Sequence, residues 1–234
     1  RRLLNEYFTE VTLVIHDHRG TVDKYLGDGV MAFWGAPLPD PDHARNAVRA
    51  ALVLQDAVRR AESRLPFRPA TPLAIGIGIN TGLSSVGDMG SRLRREYTVL
   101  GDPVNLAARL ESLTKYYNVG IVLGARTREL IPELVCRELD RVRVKGKEQS
   151  VSIYEPLGFE ADIGQSRSEE LKLWTQMLRA YRAQDWDQAD IALINMQRRT
   201  ASAGLHELYA SRITYYRKHP PPPDWDGVTV FDRK

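Results

Sequence analysis

Lys24 and Asp28 stand four residues apart in the run Lys24-Tyr25-Leu26-Gly27-Asp28-Gly29, and further along Asn105 and Arg109 repeat that spacing. Each residue type suggests a chemistry. A carboxylate at a tight turn is accessible enough to bind Mg²⁺, because hard cations take oxygen ligands and keep several waters. A lysine only donates hydrogen bonds, so it suits an acceptor on a bound group. An arginine offers a planar fork of donors that pairs with phosphoryl oxygens and never loses its charge. Singly these are weak signals: turn aspartates mostly serve the backbone, and an Asn/Arg pair on a helix is usually a solvated face.

Periodicity predicts the elements that must position these residues. Leu3, Leu4, Tyr7, Phe8, Val11, Leu13, Val14 and Ile15 recur at helical spacing with no capping residue ahead, so something is expected upstream of Arg1. Thr21 to Leu26 reads as one strand and the apolar Val30 to Trp34 as a second. Asp28-Gly29 between them is a strong hairpin signal, since both residues tolerate positive φ, and it puts Asp28 at the tip. Pro37, Pro39 and Pro41 mark a loop, and Asp40 or Asp42 can cap a helix from about His43 to Ser63. Leu73, Ile75, Ile77 and Ile79 then alternate with Ala74, Gly76, Gly78 and Asn80. The bare glycine face of that strand calls for close approach, by a packed helix or by a ligand.

Gly82 to Ser91 is glycine-rich and reads as a flexible arm, while Arg94 to Leu100 returns to strand character. Asp102-Pro103 opens a helix in a favoured way, with the acid as N-cap and proline at the first helical position. Leu106, Leu110, Leu113 and Tyr117 form its core stripe, which leaves Asn105 and Arg109 one turn apart on a neighbouring face. Further short elements run to Leu157, and the mixture predicts an α+β domain over 1–160 with helices on one side of a sheet. Residues 161–219 carry helical patterns alone, read as a hairpin-like all-α appendage, and the Pro220 to Pro223 run opens a proline-rich tail over 220–234.

The chain has 33 basic and 30 acidic residues interleaved along it, so a sequence pI of about 9.0 does not by itself indicate nucleic acid, and no nucleic-acid partner is expected. The single cysteine, Cys136, cannot form an intrachain disulfide and sits among apolar neighbours as a small hydrophobe. A reducing, cytoplasmic setting fits it. No apolar run approaches the roughly 20 residues that span a bilayer.

The segment Val22-Asp23-Lys24-Tyr25-Leu26-Gly27-Asp28-Gly29-Val30-Met31-Ala32-Phe33-Trp34-Gly35-Ala36-Pro37 resembles the second metal-binding segment of bacterial class III adenylate cyclases. Glu96-Tyr97-Thr98-Val99-Leu100-Gly101-Asp102-Pro103-Val104-Asn105-Leu106-Ala107-Ala108-Arg109 is similar to their transition-state segment. Ile77-Gly78-Ile79-Asn80-Thr81-Gly82 lies between the two and Val144-Lys145-Gly146-Lys147 after them, all in the family's order.

The resemblance implies a ferredoxin-like cyclase sheet with helices packed on it, converting ATP to 3′,5′-cyclic AMP and pyrophosphate. It implies two Mg²⁺ or Mn²⁺ ions per site, with Asp28 as one of two metal aspartates. Lys24 matches the adenine-reading lysine and Thr98 its partner, in the threonine form of a bacterial subgroup described as responsive to inorganic carbon. Asn105 and Arg109 match the pair that orients the ribose and stabilises the transferred phosphoryl group, and Lys145 matches a lysine on the terminal phosphates. The family assembles such sites across a head-to-tail homodimer, often behind a sensor region, in some relatives anchored in the inner membrane.

One departure matters. The family's other metal aspartate lies on an opening strand that these residues do not contain, and Asp17 and Asp23 do not sit in its motif. The second metal aspartate is therefore expected upstream of Arg1, and the isolated chain is expected to be weakly active or inactive. Two other functions stay open: a catalytically silent dimerisation or regulatory module, and a guanylate cyclase, which Lys24 and Thr98 oppose.

Overall fold

The computed structural model describes residues 2–63, 74–91, 93–144, 149–198 and 203–231. Helix α1 (Arg2–Asp17) leads into an antiparallel hairpin of β1 (Thr21–Leu26) and β2 (Gly29–Phe33). Leu26 pairs with Gly29, so the turn residues are Gly27 and Asp28, one position earlier than the Asp28-Gly29 turn expected from sequence. The reason is that Gly27, at φ 66°, supplies the left-handed conformation in the glycine-first order that two-residue hairpins also use. Asp28 remains at the tip. The hairpin carries one bulge, with the register shifting between Val22 and Lys24. Asp23 is the residue left out of the ladder.

Helix α2 (His43–Ser63) begins as expected, and Asp40 does the capping. Its carboxylate accepts from the Asp42 backbone N–H at 3.0 Å and from Asn46 Nδ2 at 2.8 Å. Val11 and Ile15 of α1 meet Leu54 of α2 in a small core that also takes Val22, Val30 and Trp34 from the hairpin side.

The main sheet runs β3-β6-β8-β7-β9, built from β3 (Ile77–Ile79), β6 (Ile121–Gly124), β7 (Leu134–Val144), β8 (Val151–Phe159) and β9 (Val228–Phe231). Alternation along β6 shows how it is covered. Ile121 and Leu123 join Ala44, Val48 and Ala51 of α2, whereas Val122 joins Leu110, Leu113 and Tyr117 of α3 (Asp102–Tyr117). Helices therefore lie on both faces of the sheet, not on one. A strand apolar at Ile121, Val122 and Leu123 in succession is itself the pattern of two covered faces, and the one-sided reading did not weigh it.

The glycine face of β3 receives a helix. A Cβ on Gly78 would lie 2.2 Å from the Ala107 carbonyl oxygen and 2.3 Å from the Glu111 nitrogen, so only glycine lets the α3 backbone come this close. Helix α3 starts with Asp102 as its first residue. Gly101, at φ 145°, holds the N-cap position that the sequence assigned to Asp102. The segment read as a flexible arm is ordered: β4 (Ser85–Gly90) pairs along its whole length with β5 (Arg95–Leu100).

Beyond β8 come α5 (Gln165–Arg182), α6 (Trp186–Gln197) and α7 (Ala203–Lys218), after a short α4 (Ala125–Glu129) earlier in the chain. Trp174, Met177, Tyr181, Leu193, Met196, Leu205 and Tyr209 share one buried core with Leu110, Leu113 and Tyr117 of α3. The C-terminal tail returns to the sheet, where β9 pairs in parallel with β7 from Arg141 to Val144. Among the described residues no helix is long and apolar enough to cross a membrane.

Candidate functional site

Lys24 and Thr98 come from different hairpins, 74 positions apart, and a third residue joins them. The bulge in β1 turns Asp23 toward β5 and buries its side chain to 1% exposure. Thr98 Oγ1 donates to Asp23 Oδ2 at 2.6 Å, and the Val99 backbone N–H approaches the same oxygen at 3.4 Å. The Lys24 ammonium lies 3.3 Å from the other oxygen, Oδ1, and 3.5 Å from Glu96 Oε2. The Oδ1 contact is close enough to be an ion pair yet lacks hydrogen-bond alignment, so Oδ1 has no hydrogen-bond partner.

Charge around Lys24 favours its protonated form. Burial pulls the ammonium down, but Asp23 and then Glu96 outweigh that and raise its pKa above the ordinary lysine value. At neutral pH Lys24 is a donor only. Glu96 is already engaged, accepting from Arg94 Nε at 3.0 Å, and Arg94 first and Lys24 second hold its carboxyl below the usual range. Lys24 has three N–H donors and gives one of them to Glu96, which leaves donors to face a ligand.

Asp28 sits exposed at the tip of the β1/β2 hairpin, beside α1. Its charge adds to the effect of burial in raising the Tyr7 pKa, and the Phe8 ring packs on Tyr25 at 4.4 Å. An exposed carboxylate on a tight turn suits a hard cation in donor type and in access. It is one ligand and not a set: among the described residues no three His, Cys, Asp or Glu side chains gather as a metal site. Asn105 and Arg109 project from the exposed face of α3, one turn apart, while Leu106 and Leu110 turn to the core. Lys145 lies outside the described residues.

The sequence therefore named the two ends of the Lys24 and Thr98 arrangement and missed its centre. Asp23 had been considered only as a metal ligand and set aside. An acid directly before a lysine in an alternating strand points to the opposite face, so periodicity counted it away from Lys24. Only the bulge reverses that.

These geometries can be set beside known proteins. The adenylate and guanylate cyclase catalytic domain family matches residues 1–155. The chain belongs to that family. The cyclase domain is 34% identical to adenylate cyclase 1 of Rhizobium meliloti over 157 residues, which cover 67% of this chain and 24% of that protein. It is 39% identical to the terminal-differentiation-specific adenylate cyclase of Dictyostelium discoideum, over 68% of this chain and 8% of that protein. The chain thus spans a quarter or less of these two relatives. Among solved structures, the adenylyl cyclase CyaB of P. aeruginosa is similar with a TM-score of 0.60 and 32% identity, covering 70% of this chain and 84% of that one. The guanylyl cyclase Cya2 matches with a TM-score of 0.61 and 34% identity, covering 70% and 82%. Adenylyl and guanylyl cyclases stand side by side at similar identity, so the cyclase fold does not by itself choose the base. Class III cyclases generally use divalent metal ions.

Proposed function

We propose that this domain cyclises ATP to 3′,5′-cyclic AMP and pyrophosphate at a site shared between two copies of the chain. The observation that carries the choice of ATP is the meeting of a lysine ammonium and a threonine hydroxyl on one buried carboxylate, Asp23. Adenine offers an acceptor at N1 and donors on its 6-amino group. Lys24 donates to N1, and guanine, which carries a hydrogen on N1, would oppose it.

In the reaction the ribose 3′ oxygen attacks the α-phosphorus, the bond to the bridging oxygen of the β-phosphate breaks, and pyrophosphate leaves. Arg109 pairs with the oxygens of the transferred phosphoryl group, where charge builds, and Asn105 in the preceding turn holds the ribose in line. Lys145 neutralises the terminal phosphates. A divalent cation held in part by Asp28 would favour ionisation of the 3′ hydroxyl and screen the triphosphate. Asp28 and the Asn105/Arg109 pair serve one site from opposite copies, as the family resemblance implies, and a second carboxylate completes the cation's ligands.

The test is an assay of the full-length protein with ATP and with GTP in Mn²⁺. Cyclic AMP is the expected product, and Lys24→Glu combined with Thr98→Cys should move preference toward GTP. No cyclic AMP from a well-folded dimer would favour a silent regulatory module. An unchanged preference in the double variant would refute the assignment of base recognition.

A further inference from the structure

We infer that Asp23 is a specificity-determining positioning residue: by taking the single hydroxyl proton of Thr98, it makes that hydroxyl an obligate acceptor and so selects a 6-amino over a 6-keto purine. This rests on the reading of Lys24 and Thr98 as the base-recognition pair.

A threonine hydroxyl has one hydrogen and two lone pairs, and normally rotates to suit either a donor or an acceptor. A free Thr98 would therefore discriminate poorly, donating to the O6 of guanine as readily as it accepts from the N6 of adenine. The geometry removes that freedom. The hydrogen is directed at Asp23 Oδ2, 2.6 Å away, in a short bond to a carboxylate buried to 1% exposure, with Thr98 itself 6% exposed. Water cannot compete for the acceptor at such burial, and a bond to a charged acceptor is stronger than one to a neutral group. Turning the hydroxyl toward a ligand oxygen would leave Oδ2 with only the long 3.4 Å approach of the Val99 N–H, and Oδ1 has no hydrogen-bond partner already.

Asp23 acts on the second reader as well. Its Oδ1 lies 3.3 Å from the Lys24 ammonium without hydrogen-bond alignment, so it holds the charge in place; one ammonium hydrogen goes to Glu96 Oε2 at 3.5 Å and the others serve a ligand. One buried carboxylate thus fixes a donor and an acceptor side by side, the complement of N1 and the 6-amino group of adenine. Guanine, with N1–H and O6, would meet a donor with a donor and an acceptor with an acceptor. The β-bulge makes this possible, since regular pairing would send the side chains of Asp23 and Lys24 to opposite faces.

The experiment measures competitive displacement of a fluorescent ATP derivative, together with cyclic product formation, for ATP, GTP, inosine triphosphate and purine riboside triphosphate, on the full-length protein. Asp23→Leu keeps the branched heavy-atom skeleton and removes the acceptor. It should lower the ATP-to-GTP ratio of kcat/KM about tenfold to a hundredfold, the worth of one reversed hydrogen-bond sense, mainly by admitting the 6-keto nucleotides. In a Thr98→Val background the same substitution should move the ratio much less, because the hydroxyl it orients is gone and only its hold on Lys24 is left to lose. A purely structural role would lower activity with all four nucleotides in parallel and leave the ratio unchanged in Asp23→Leu, which overturns the inference while the cyclase reading stands.

Should Asp23→Leu fail to fold, Thr98→Val decides: a hydroxyl that Asp23 holds as an acceptor repels O6, so its removal should leave 6-keto binding as strong or stronger relative to the 6-unsubstituted nucleotide. Weaker relative binding of the 6-keto nucleotides in Thr98→Val would mean that the hydroxyl had been donating to O6 and overturns the inference. If the unmodified protein prefers GTP, or cyclises neither nucleotide, the reading beneath the inference fails and the inference falls with it.

Discussion

At the scale of single residues, the chemistry-bearing types were legible and their partners were not. Lys24, Asp28, Thr98, Asn105 and Arg109 stand out because their types and order resemble the cyclase segments, whereas Asp23 is brought to Thr98 and Lys24 only by a bulge no local pattern predicts. His206 is a second case. It is fully buried in the helical segment, stacked on Trp174 at 5.9 Å, and neither ring nitrogen has a hydrogen-bond partner. Burial first, and the Arg137 charge second, hold its pKa below the ordinary histidine value, with Glu170 acting weakly against them. The unfolded chain therefore binds a proton at a higher pH than the folded one does. Stability from neutral His206 is fully present above about pH 6.5 and is lost as pH falls below it. Thermal melts from pH 7.5 down to 5.5 should show a falling Tm, and His206→Phe should flatten that fall. An equal slope in the variant would assign the acid sensitivity to other groups.

At the scale of elements, hydrophobic periodicity gave α2, the β1/β2 hairpin and the core stripe of α3, because each buries one face at a fixed period. Turn and cap details slipped by one residue, at Gly27-Asp28 and at Gly101. In both places a glycine with positive φ took the position assigned to an aspartate. The glycine-rich β4 was hidden for a related reason: pairing with β5 supplies its order, and pairing is not local. Close approach of α3 to β3 at Gly78 carries a prediction. Gly78→Ala must displace the α3 backbone and should cost about 1–3 kcal/mol, the usual range for overpacking, with activity falling as Asn105 and Arg109 move. Gly87→Ala is the control, since nothing lies within 4 Å of its added Cβ, and it should stay within about 0.5 kcal/mol of the parent in chemical denaturation. Similar stabilities for the two variants would contradict this packing account.

At the scale of the whole molecule, the C-terminal helices and the cyclase fold are joined by a buried polar junction as well as by a common core. Asp140 of β7, 1% exposed, accepts from Tyr117 of α3 at 2.7 Å, from Arg212 of α7 at 2.7 Å and from Thr229 of β9 at 2.8 Å. Burial first, and the charge of Asp140 second, push the Tyr117 hydroxyl far above its ordinary range, so it stays protonated as a donor. The helix that carries Asn105 and Arg109 is thereby tied at its far end to both α7 and β9. Arg212→Ala would strand the Asp140 charge and should cost about 3–5 kcal/mol in a denaturant titration. A loss under about 1 kcal/mol would mean that the junction does not hold the segments together. The sequence could not reveal this, because Tyr117, Asp140, Arg212 and Thr229 are scattered over more than a hundred positions and only the fold brings them together. The proposed activity reaches further, beyond one chain, since it needs Asp28 from one copy and Arg109 from another. Mixing an Asp28→Asn protein with an Arg109→Ala protein tests this most directly. Each alone should be inactive, and an equal mixture should regain about one quarter of the parental rate of cyclic AMP formation, because half the dimers are mixed and each holds one intact site. Inactivity of the mixture, with mixed dimers demonstrably formed, would contradict a shared site.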